Sequence, residues 1–212
     1  MNTSSCSAGE QSLSAVIPAA GLSRRMGRPK LLLPLGDQPV LARLLNGLPQ
    51  AGFGRCVVVI RAEDNELQDV ARGCGATVVC PEVDPPDMRT SVEHALKCLE
   101  QEDSPHPGAG WALVPADHPV LDHQPLEQLV ACWGECDADI LAPVYQGRRG
   151  HPTIFRWSLV PEVFALPPET GLNQLMKQPG RRIRELPVDS PGVLTDLDTP
   201  EDYQRLRALF GE

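Results

Sequence analysis

The chain has 212 residues, of which 42% are hydrophobic, and its formal net charge at pH 7 is −9. A chain of this length can bury one sizeable core, which favours a single globular domain. The acidic balance argues against a nucleic-acid partner, and no apolar run approaches the ~20 residues that a membrane-spanning helix needs.

Two further features concern location. The polar segment 1–12 lacks the apolar core of an export signal, so we expect a disordered leader followed by one domain over residues 13–212. The chain contains seven cysteines, an odd number, and none of them forms a C-x-x-C pair. This usage indicates reduced thiols in a cytoplasmic protein rather than a disulfide framework.

The first predicted element is a buried strand over the apolar residues 13–17, which ends at Pro18 in a loop of small residues. Four cations follow closely: Arg24, Arg25, Arg28 and Lys30. Small residues let backbone N–H groups approach phosphate oxygens, and cations offset the charge of a polyanion. The stretch therefore predicts a polyphosphate site, although its spacing matches neither the P-loop nor G-x-G-x-x-G. The alternative is a solvated basic loop.

Strands and helices alternate along the first two thirds of the chain. Strands are predicted at 55–60, 76–80, 111–115 and 139–144, and helices at 39–51, 63–74, 89–101 and 124–135. This alternation predicts an α/β fold with three α/β/α layers and a Rossmann-like, mostly parallel sheet. Ligands of such sheets bind at the carboxyl ends of the strands, so we expect the loops after Ile17, Cys80 and Pro115 to converge.

Asp117 follows the fourth predicted strand, in the sequence Pro-Ala-Asp-His-Pro. A carboxylate at the carboxyl edge of the sheet, facing a triphosphate, suits Mg²⁺, which takes one or two carboxylates together with phosphate oxygens. The alternative is a turn or a helix-capping role. Further along, Thr199 and Pro200 predict the start of the last helix, because Thr is a favoured N-cap and Pro suits the first turn.

The stretch AAGLSRRMGRPKLLLPLGDQPVL, residues 19–41, resembles the opening of the MobA-like nucleotidyltransferases, and within them the molybdenum cofactor cytidylyltransferases. The family pattern is a small-small-Gly loop followed by Ser-x-Arg-Met-Gly and a Lys. The resemblance implies the fold of the nucleotide-diphospho-sugar transferases, with Arg25 and Lys30 as catalytic cations. It also implies a nucleotide site made of Ala19, Ala20, Gly21, Leu22, Ser23, Arg25, Lys30, Ser91 and Asp117.

The resemblance extends to the metal site. The family pattern Asp-x-Pro is matched by Asp117 and Pro119, with Ala116 as a departure, and it implies that Asp117 is a metal ligand. Related nucleotidyltransferases carry Asp-Thr-Pro-Glu-Asp near the end of the chain. That pattern implies that Asp198 completes a Mg²⁺ site, with Asp196 as a weaker candidate.

Two further loops each allow two interpretations. An Arg-Gly-His-Pro sequence in the cytidylyltransferase branch implies that Arg149 and His151 bind the acceptor, whereas a hairpin turn with exposed arginines is the plain alternative. Ser91 keeps the place of a family serine that approaches the nucleotide, but Arg89 is an added cation there. Capping of a helix by Thr90 or Ser91 is the alternative.

The implied reaction is Mg²⁺-dependent transfer of CMP from CTP to molybdenum-bound molybdopterin, which yields molybdopterin cytosine dinucleotide and pyrophosphate. The implied partners are a nucleoside triphosphate, favoured as CTP, and molybdopterin or the molybdenum cofactor, with a recipient molybdoenzyme as a further candidate. Alternatives are GTP as donor, a sugar or alcohol phosphate as acceptor, or a non-catalytic nucleotide-binding chaperone of a molybdoenzyme. The presence of Lys30, Asp117 and Asp198 together argues against the chaperone.

Overall fold

The computed structural model describes residues 13–103, 109–119 and 122–211. The predicted leader, residues 1–12, lies outside the described residues. Within those ranges, none of the helices combines the length and the apolar character needed to cross a bilayer.

The described residues form ten β-strands and six α-helices. The strands are β1 (Leu13–Pro18), β2 (Pro34–Leu35), β3 (Gln38–Pro39), β4 (Arg55–Val59), β5 (Thr77–Val79), β6 (Gly110–Leu113), β7 (Ile140–Tyr145), β8 (Arg148–Arg149), β9 (Thr153–Arg156) and β10 (Ile183–Pro187). The helices are α1 (Val40–Gln50), α2 (Asn65–Gly73), α3 (Met88–Asp103), α4 (His123–Glu135), α5 (Val160–Phe164) and α6 (Pro200–Leu209).

The central sheet has the strand order β10-β7-β9-β6-β1-β4-β5, with β8 paired to β7. Strand β1 pairs in parallel with β4 and β6, β4 with β5, and β7 with β10, whereas β9 is antiparallel to both of its neighbours. Strands β2 and β3 form a separate antiparallel ribbon. The predicted α/β fold with a mostly parallel sheet is therefore confirmed.

Successive side chains of the central strands enter two different cores, as the pleat of a β-strand requires. Ile17 and Val58 belong to the core that α1, α2, α4 and α6 cover. Val16 and Val57 belong to the core that α3 and α5 cover. Both faces of the sheet are therefore buried against helices, and the predicted three-layer arrangement is present. This packing leaves the loops at the carboxyl edge of the sheet available to form a site.

Candidate active site

A cavity of about 520 Å³ lies at the carboxyl edge of the central strands. Its walls come from three loops, which follow β1, β5 and β6, and from the residue that precedes α6 by two positions, Asp198. The predicted convergence of these three loops is confirmed. We call this space the nucleotide cavity, after the predicted nucleotide site whose residues line it. Its lining includes Ala19, Ala20, Gly21, Leu22, Ser23, Arg25, Lys30, Ser91, Asp117 and Asp198.

Lys30 lies at the centre of an ion cluster in this cavity. Its Nζ donates hydrogen bonds to Asp117 Oδ2 and to Asp198 Oδ1, both at 2.8 Å. Arg25 Nη2 lies 2.8 Å from the other oxygen of Asp198. Burial lowers the pKa of Lys30, but the charges and hydrogen bonds of the two carboxylates outweigh that effect and raise it above its usual value. The side chain of Lys30 is therefore a cation at neutral pH.

The two carboxylates meet because the backbone joins their segments. The Leu197 N–H donates to the Asp117 carbonyl oxygen at 2.8 Å, and the Leu197 side chain is fully buried. On the other side, Asp202 Oδ2 accepts hydrogen bonds from the N–H groups of Asp198 at 3.1 Å and of Thr199 at 2.8 Å. Thr199 caps α6, as predicted. Asp198 is thus held between Asp117 and the first turn of α6.

Asp196, the weaker metal candidate, does not line the nucleotide cavity. It lines a separate cavity of about 300 Å³ with residues that include Asp202 and Arg205. The residues between the 3₁₀ turn Pro191–Leu194 and α6 do not form a strand, so no strand pleat sets Asp196 and Asp198 on one face.

The cation-rich loop is shaped around Ser23, a non-glycine residue with a positive φ of 49°. Its carbonyl oxygen accepts hydrogen bonds from the N–H groups of Met26 and Gly27, both at 3.1 Å, and its Oγ accepts one from the Lys30 N–H at 3.3 Å. Met26 is buried in the core beneath α1. The loop is therefore a packed turn, which argues against a merely solvated basic loop.

The backbone N–H groups of this loop differ in their partners. The Ala19 N–H donates to the Val59 carbonyl oxygen at 2.9 Å and so extends the sheet. Among the described residues, the N–H groups of Ala20, Gly21 and Leu22 have no hydrogen-bond acceptor. These three groups remain available for oxygen atoms of a bound phosphate. Ala19 lines the cavity, but its N–H group is not available to a phosphate, because it is bonded to Val59.

Helix α3 begins at the same cavity. Asp87 Oδ1 accepts hydrogen bonds from the Thr90 N–H at 2.7 Å and from the Thr90 Oγ1 at 2.9 Å. Asp87 is therefore the capping residue, and capping by Thr90 or Ser91 is wrong. The Ser91 side chain, buried with 3% of its surface exposed, donates to the Asp87 carbonyl oxygen at 3.3 Å. The sequence carried a signal for Asp87, an Asp placed three residues before Thr90.

A second cavity, of about 590 Å³, adjoins the first, and Asp87 and Met88 line both. We call it the acceptor cavity, after the prediction that Arg149 and His151 bind the acceptor. Arg149 and His151 lie in its wall, as the acceptor prediction requires, and Arg149 Nη2 also pairs with Glu185 at 2.7 Å. The apolar part of the wall includes Leu113, Phe155, Leu172 and Met176.

Sequence reasoning assigned no role to His118, which lies against His151. Their ring centroids are 5.0 Å apart in an edge-to-face arrangement. Within the described part of the chain, the Nδ1 atom of each is buried without a hydrogen-bond partner. Burial lowers the pKa of both rings, that of His151 to about 4. Both rings are therefore neutral at pH 7, so they can offer hydrogen bonds but no positive charge.

Arg89, the added cation, has a structural partner. Its Nη1 donates to the carbonyl oxygens of Leu166 and Pro167, both at 2.8 Å, and its Nε lies 3.4 Å from Glu93 Oε1. The side chain thereby ties the start of α3 to the chain that leaves α5. That chain continues into the wall of the acceptor cavity at Pro168.

The ion cluster bears on whether the site can hold Mg²⁺. The described residues contain no group of three or more His, Cys, Asp or Glu side chains that would enclose a metal by themselves. They do contain two carboxylates, Asp117 and Asp198, whose oxygens converge on one cationic atom, the Lys30 Nζ. Mg²⁺ commonly binds through one or two carboxylates with substrate phosphates as further ligands. The donor set fits a metal that arrives with a nucleotide.

Comparisons with known proteins identify the family. Residues 15–183 match a family model described as MobA-like NTP transferase domain. The molybdenum cofactor cytidylyltransferase of Escherichia coli K12 is 23% identical over 201 residues, which cover 94% of this chain and 98% of that protein. A 2-C-methyl-D-erythritol 4-phosphate cytidylyltransferase of Shewanella amazonensis is 36% identical over 135 residues, which cover 62% of this chain and 53% of that protein.

Two solved structures share the fold of this chain. The crystal structure of Rv0371c from Mycobacterium tuberculosis H37Rv has a TM-score of 0.78 and 29% identity, and the match covers 93% of this chain and 98% of that chain. A structure of Rv0371c in complex with manganese has a TM-score of 0.71 and 27% identity over the same shares of both chains.

Proposed function

The chain belongs to the MobA-like NTP transferase family and is a nucleotidyltransferase, and from this premise we propose that it transfers CMP from CTP to molybdenum-bound molybdopterin. The products are molybdopterin cytosine dinucleotide and pyrophosphate. The observation that carries the proposal is the convergence of Lys30, Asp117 and Asp198 beside a loop with available backbone N–H groups. The 94% coverage of this chain by the molybdenum cofactor cytidylyltransferase supports the choice of substrates.

In this reaction an oxygen of the acceptor phosphate attacks the α-phosphorus of CTP, and the bond from that phosphorus to pyrophosphate breaks. The acceptor oxygen is ionised near neutral pH, so no general base is required. Lys30 and Arg25 offset charge on the α-phosphate and on the leaving group, while the N–H groups of residues 20–22 hold phosphate oxygens. Asp117 and Asp198 would hold Mg²⁺, which when bound neutralises charge on the phosphate oxygens.

The acceptor cavity suits a phosphorylated ring compound. Its volume of about 590 Å³ and its apolar wall at Leu113, Phe155 and Met176 would bury a flat ring system. Arg149, which is paired with Glu185, supplies a guanidinium group at the rim, and the neutral His151 supplies hydrogen bonds. For the donor, the resemblance of Ala19-Ala20-Gly21 to the cytidylyltransferase branch supports CTP over GTP.

A substrate screen tests the proposal. Purified protein with Mg²⁺ is given CTP, GTP, ATP or UTP, each with molybdenum cofactor or with 2-C-methyl-D-erythritol 4-phosphate, and pyrophosphate release is measured. We expect release with CTP and molybdenum cofactor only, and a product mass equal to the cytosine dinucleotide. Release with GTP in place of CTP, or with the erythritol phosphate in place of molybdenum cofactor, would reject the proposed substrates. The erythritol phosphate is the second candidate because of the similarity to its cytidylyltransferase over 62% of this chain.

A further inference from the structure

Gly150 lies between Arg149 and His151, and a Cβ atom added to it would meet the backbone of Val193. A Cβ atom at this position would lie 2.2 Å from the Val193 carbonyl oxygen and 2.8 Å from the carbonyl carbon. These separations are shorter than any that real Cβ atoms adopt, so a side chain here must displace backbone. Gly150 does not have a positive φ, so glycine is required here by the close approach and not by the backbone conformation.

A backbone hydrogen bond holds the loop that carries Gly150 against the sheet. The Gly150 N–H donates to the Pro143 carbonyl oxygen of β7 at 2.9 Å, and β7 pairs with both β9 and β10. The next residue, His151, donates its N–H to the Val193 carbonyl oxygen at 2.8 Å. A side chain at position 150 would therefore push Val193 and not the sheet.

Val193 begins a segment, residues 193–198, that ends at a carboxylate of the ion cluster. Val193 itself is buried, and near the other end of the segment Leu197 donates its N–H to the Asp117 carbonyl oxygen at 2.8 Å. Asp198 follows directly and reaches Lys30 through Oδ1. One end of the segment thus contacts the loop that carries Gly150, and the other end lines the nucleotide cavity.

We propose that Gly150 is a positioning residue for Asp198. The close approach of Gly150 to Val193 sets the path of segment 193–198 and thereby the place of the Asp198 carboxylate opposite Asp117. The inference rests on the proposed function, because it takes Asp198 as a ligand of the metal–nucleotide complex. The proposal couples the loop that carries Gly150 to the metal site. Binding of the acceptor should therefore change the affinity for the metal–nucleotide complex, and the reverse.

The test uses Mn²⁺ as the probe, with CTP present and the full chain, and measures free Mn²⁺ by electron paramagnetic resonance. Gly150→Ala is expected to weaken Mn²⁺ affinity roughly 10-fold or more, the usual loss when a group that orients a metal ligand is changed. Gly110→Ala is the matched control, because its Cβ would lie 2.5 Å from Trp133 Nε1 in the core. The control should lower stability and leave Mn²⁺ affinity unchanged.

Val193→Gly provides a second variant for the case in which Gly150→Ala does not fold. It keeps Gly150 but frees the backbone of the residue that Gly150 supports, so Mn²⁺ affinity should fall in the same direction. Asp198→Asn tests the metal assignment separately. Wild-type affinity in the folded variants at positions 150 and 193, with a loss in Asp198→Asn, overturns the inference and leaves the proposed function intact. No loss in Asp198→Asn overturns the metal assignment itself.

Discussion

The Lys30 ammonium lies where the carboxylates of Asp117 and Asp198 converge, 2.8 Å from an oxygen of each. A divalent cation held by the same two oxygens would lie close to this ammonium, and cations at such a separation repel each other strongly. The phosphate oxygens of a nucleotide offer Lys30 an alternative partner. We therefore expect the metal and the nucleotide to bind together more tightly than either binds alone.

Lys30→Met is expected to have two opposite effects. Transfer activity should fall by about 10²-fold or more, because charge on the reacting phosphates is no longer offset, and it should fall further than in Arg149→Ala. Mn²⁺ affinity without nucleotide should rise, because the ammonium no longer competes for the carboxylates. Arg28→Met, which removes a cation of the same loop that lies outside the nucleotide cavity, is the control in both calorimetry and turnover assays. Equal activity losses in Lys30→Met and Arg149→Ala would contradict the assignment.

Asp117→Ala should reduce turnover by about 10²-fold or more while the fold survives, because the change removes a partly exposed carboxylate and no core packing. Circular dichroism checks the fold, and pyrophosphate release checks the activity. Asp196→Ala is the matched control, since Asp196 lies outside the nucleotide cavity. Unchanged Mg²⁺-dependent turnover in Asp117→Ala would reject the role of Asp117.

At the scale of elements, α6 begins with a reciprocal capping box. The Asp202 N–H donates to Thr199 Oγ1 at 3.2 Å, and Asp202 Oδ2 accepts from the Thr199 N–H at 2.8 Å. Hydrogen bonds led by that of the Thr199 hydroxyl lower the pKa of Asp202 from 3.8 to about 2. Because the folded-state pKa is lowered, the stabilisation is present above pH 3.8 and is lost as the pH falls through 2.

Asp202→Asn should therefore make the free energy of unfolding less dependent on pH between 3.8 and 2, the interval set by the two pKa values. At neutral pH the loss of the cap should cost about 1 kcal/mol. Urea unfolding at several pH values measures both effects. Glu201→Gln, in the same first turn, is the control, and a pH dependence changed equally by both substitutions would contradict the capping role.

At the scale of the whole molecule, the nucleotide cavity joins segments from distant parts of the sequence. The loops after β1, β5 and β6 and the chain before α6 all contribute to it. A ligand that binds this cavity only in the folded protein stabilises the entire fold by mass action. Ligand binding can thus be measured as an increase in the free energy of unfolding.

CTP with Mg²⁺, at a concentration about 100 times its Kd, should raise the free energy of unfolding by about 2.7 kcal/mol. Thermal unfolding measures this gain, and GTP should give a smaller one. Asp117→Ala serves as the comparison, because it should show little gain from either nucleotide. A gain of equal size in that variant would place nucleotide binding elsewhere in the molecule.

The sequence was sufficient for the central part of the fold and for the meeting of Lys30 with Asp117. Apolar strands that alternate with amphipathic helices have few alternatives to a covered parallel sheet, so β1, β4, β6 and their helices were predictable. Parallel strands end at one edge, so Lys30 and Asp117 were expected to meet. The strand β10 and the short helix α5 were not predicted, because they are brief, contain or adjoin prolines, and depend on pairing and packing with distant residues.

Only the tertiary structure decided the remaining parts of the site. His118 lies against His151, which is distant in the sequence, and the requirement for glycine at position 150 comes from the Val193 carbonyl group. The physical reason is that strand and helix patterns report local periodicity and burial. Contacts between distant segments depend on how the packed layers bring their ends together, and no local pattern records that distance.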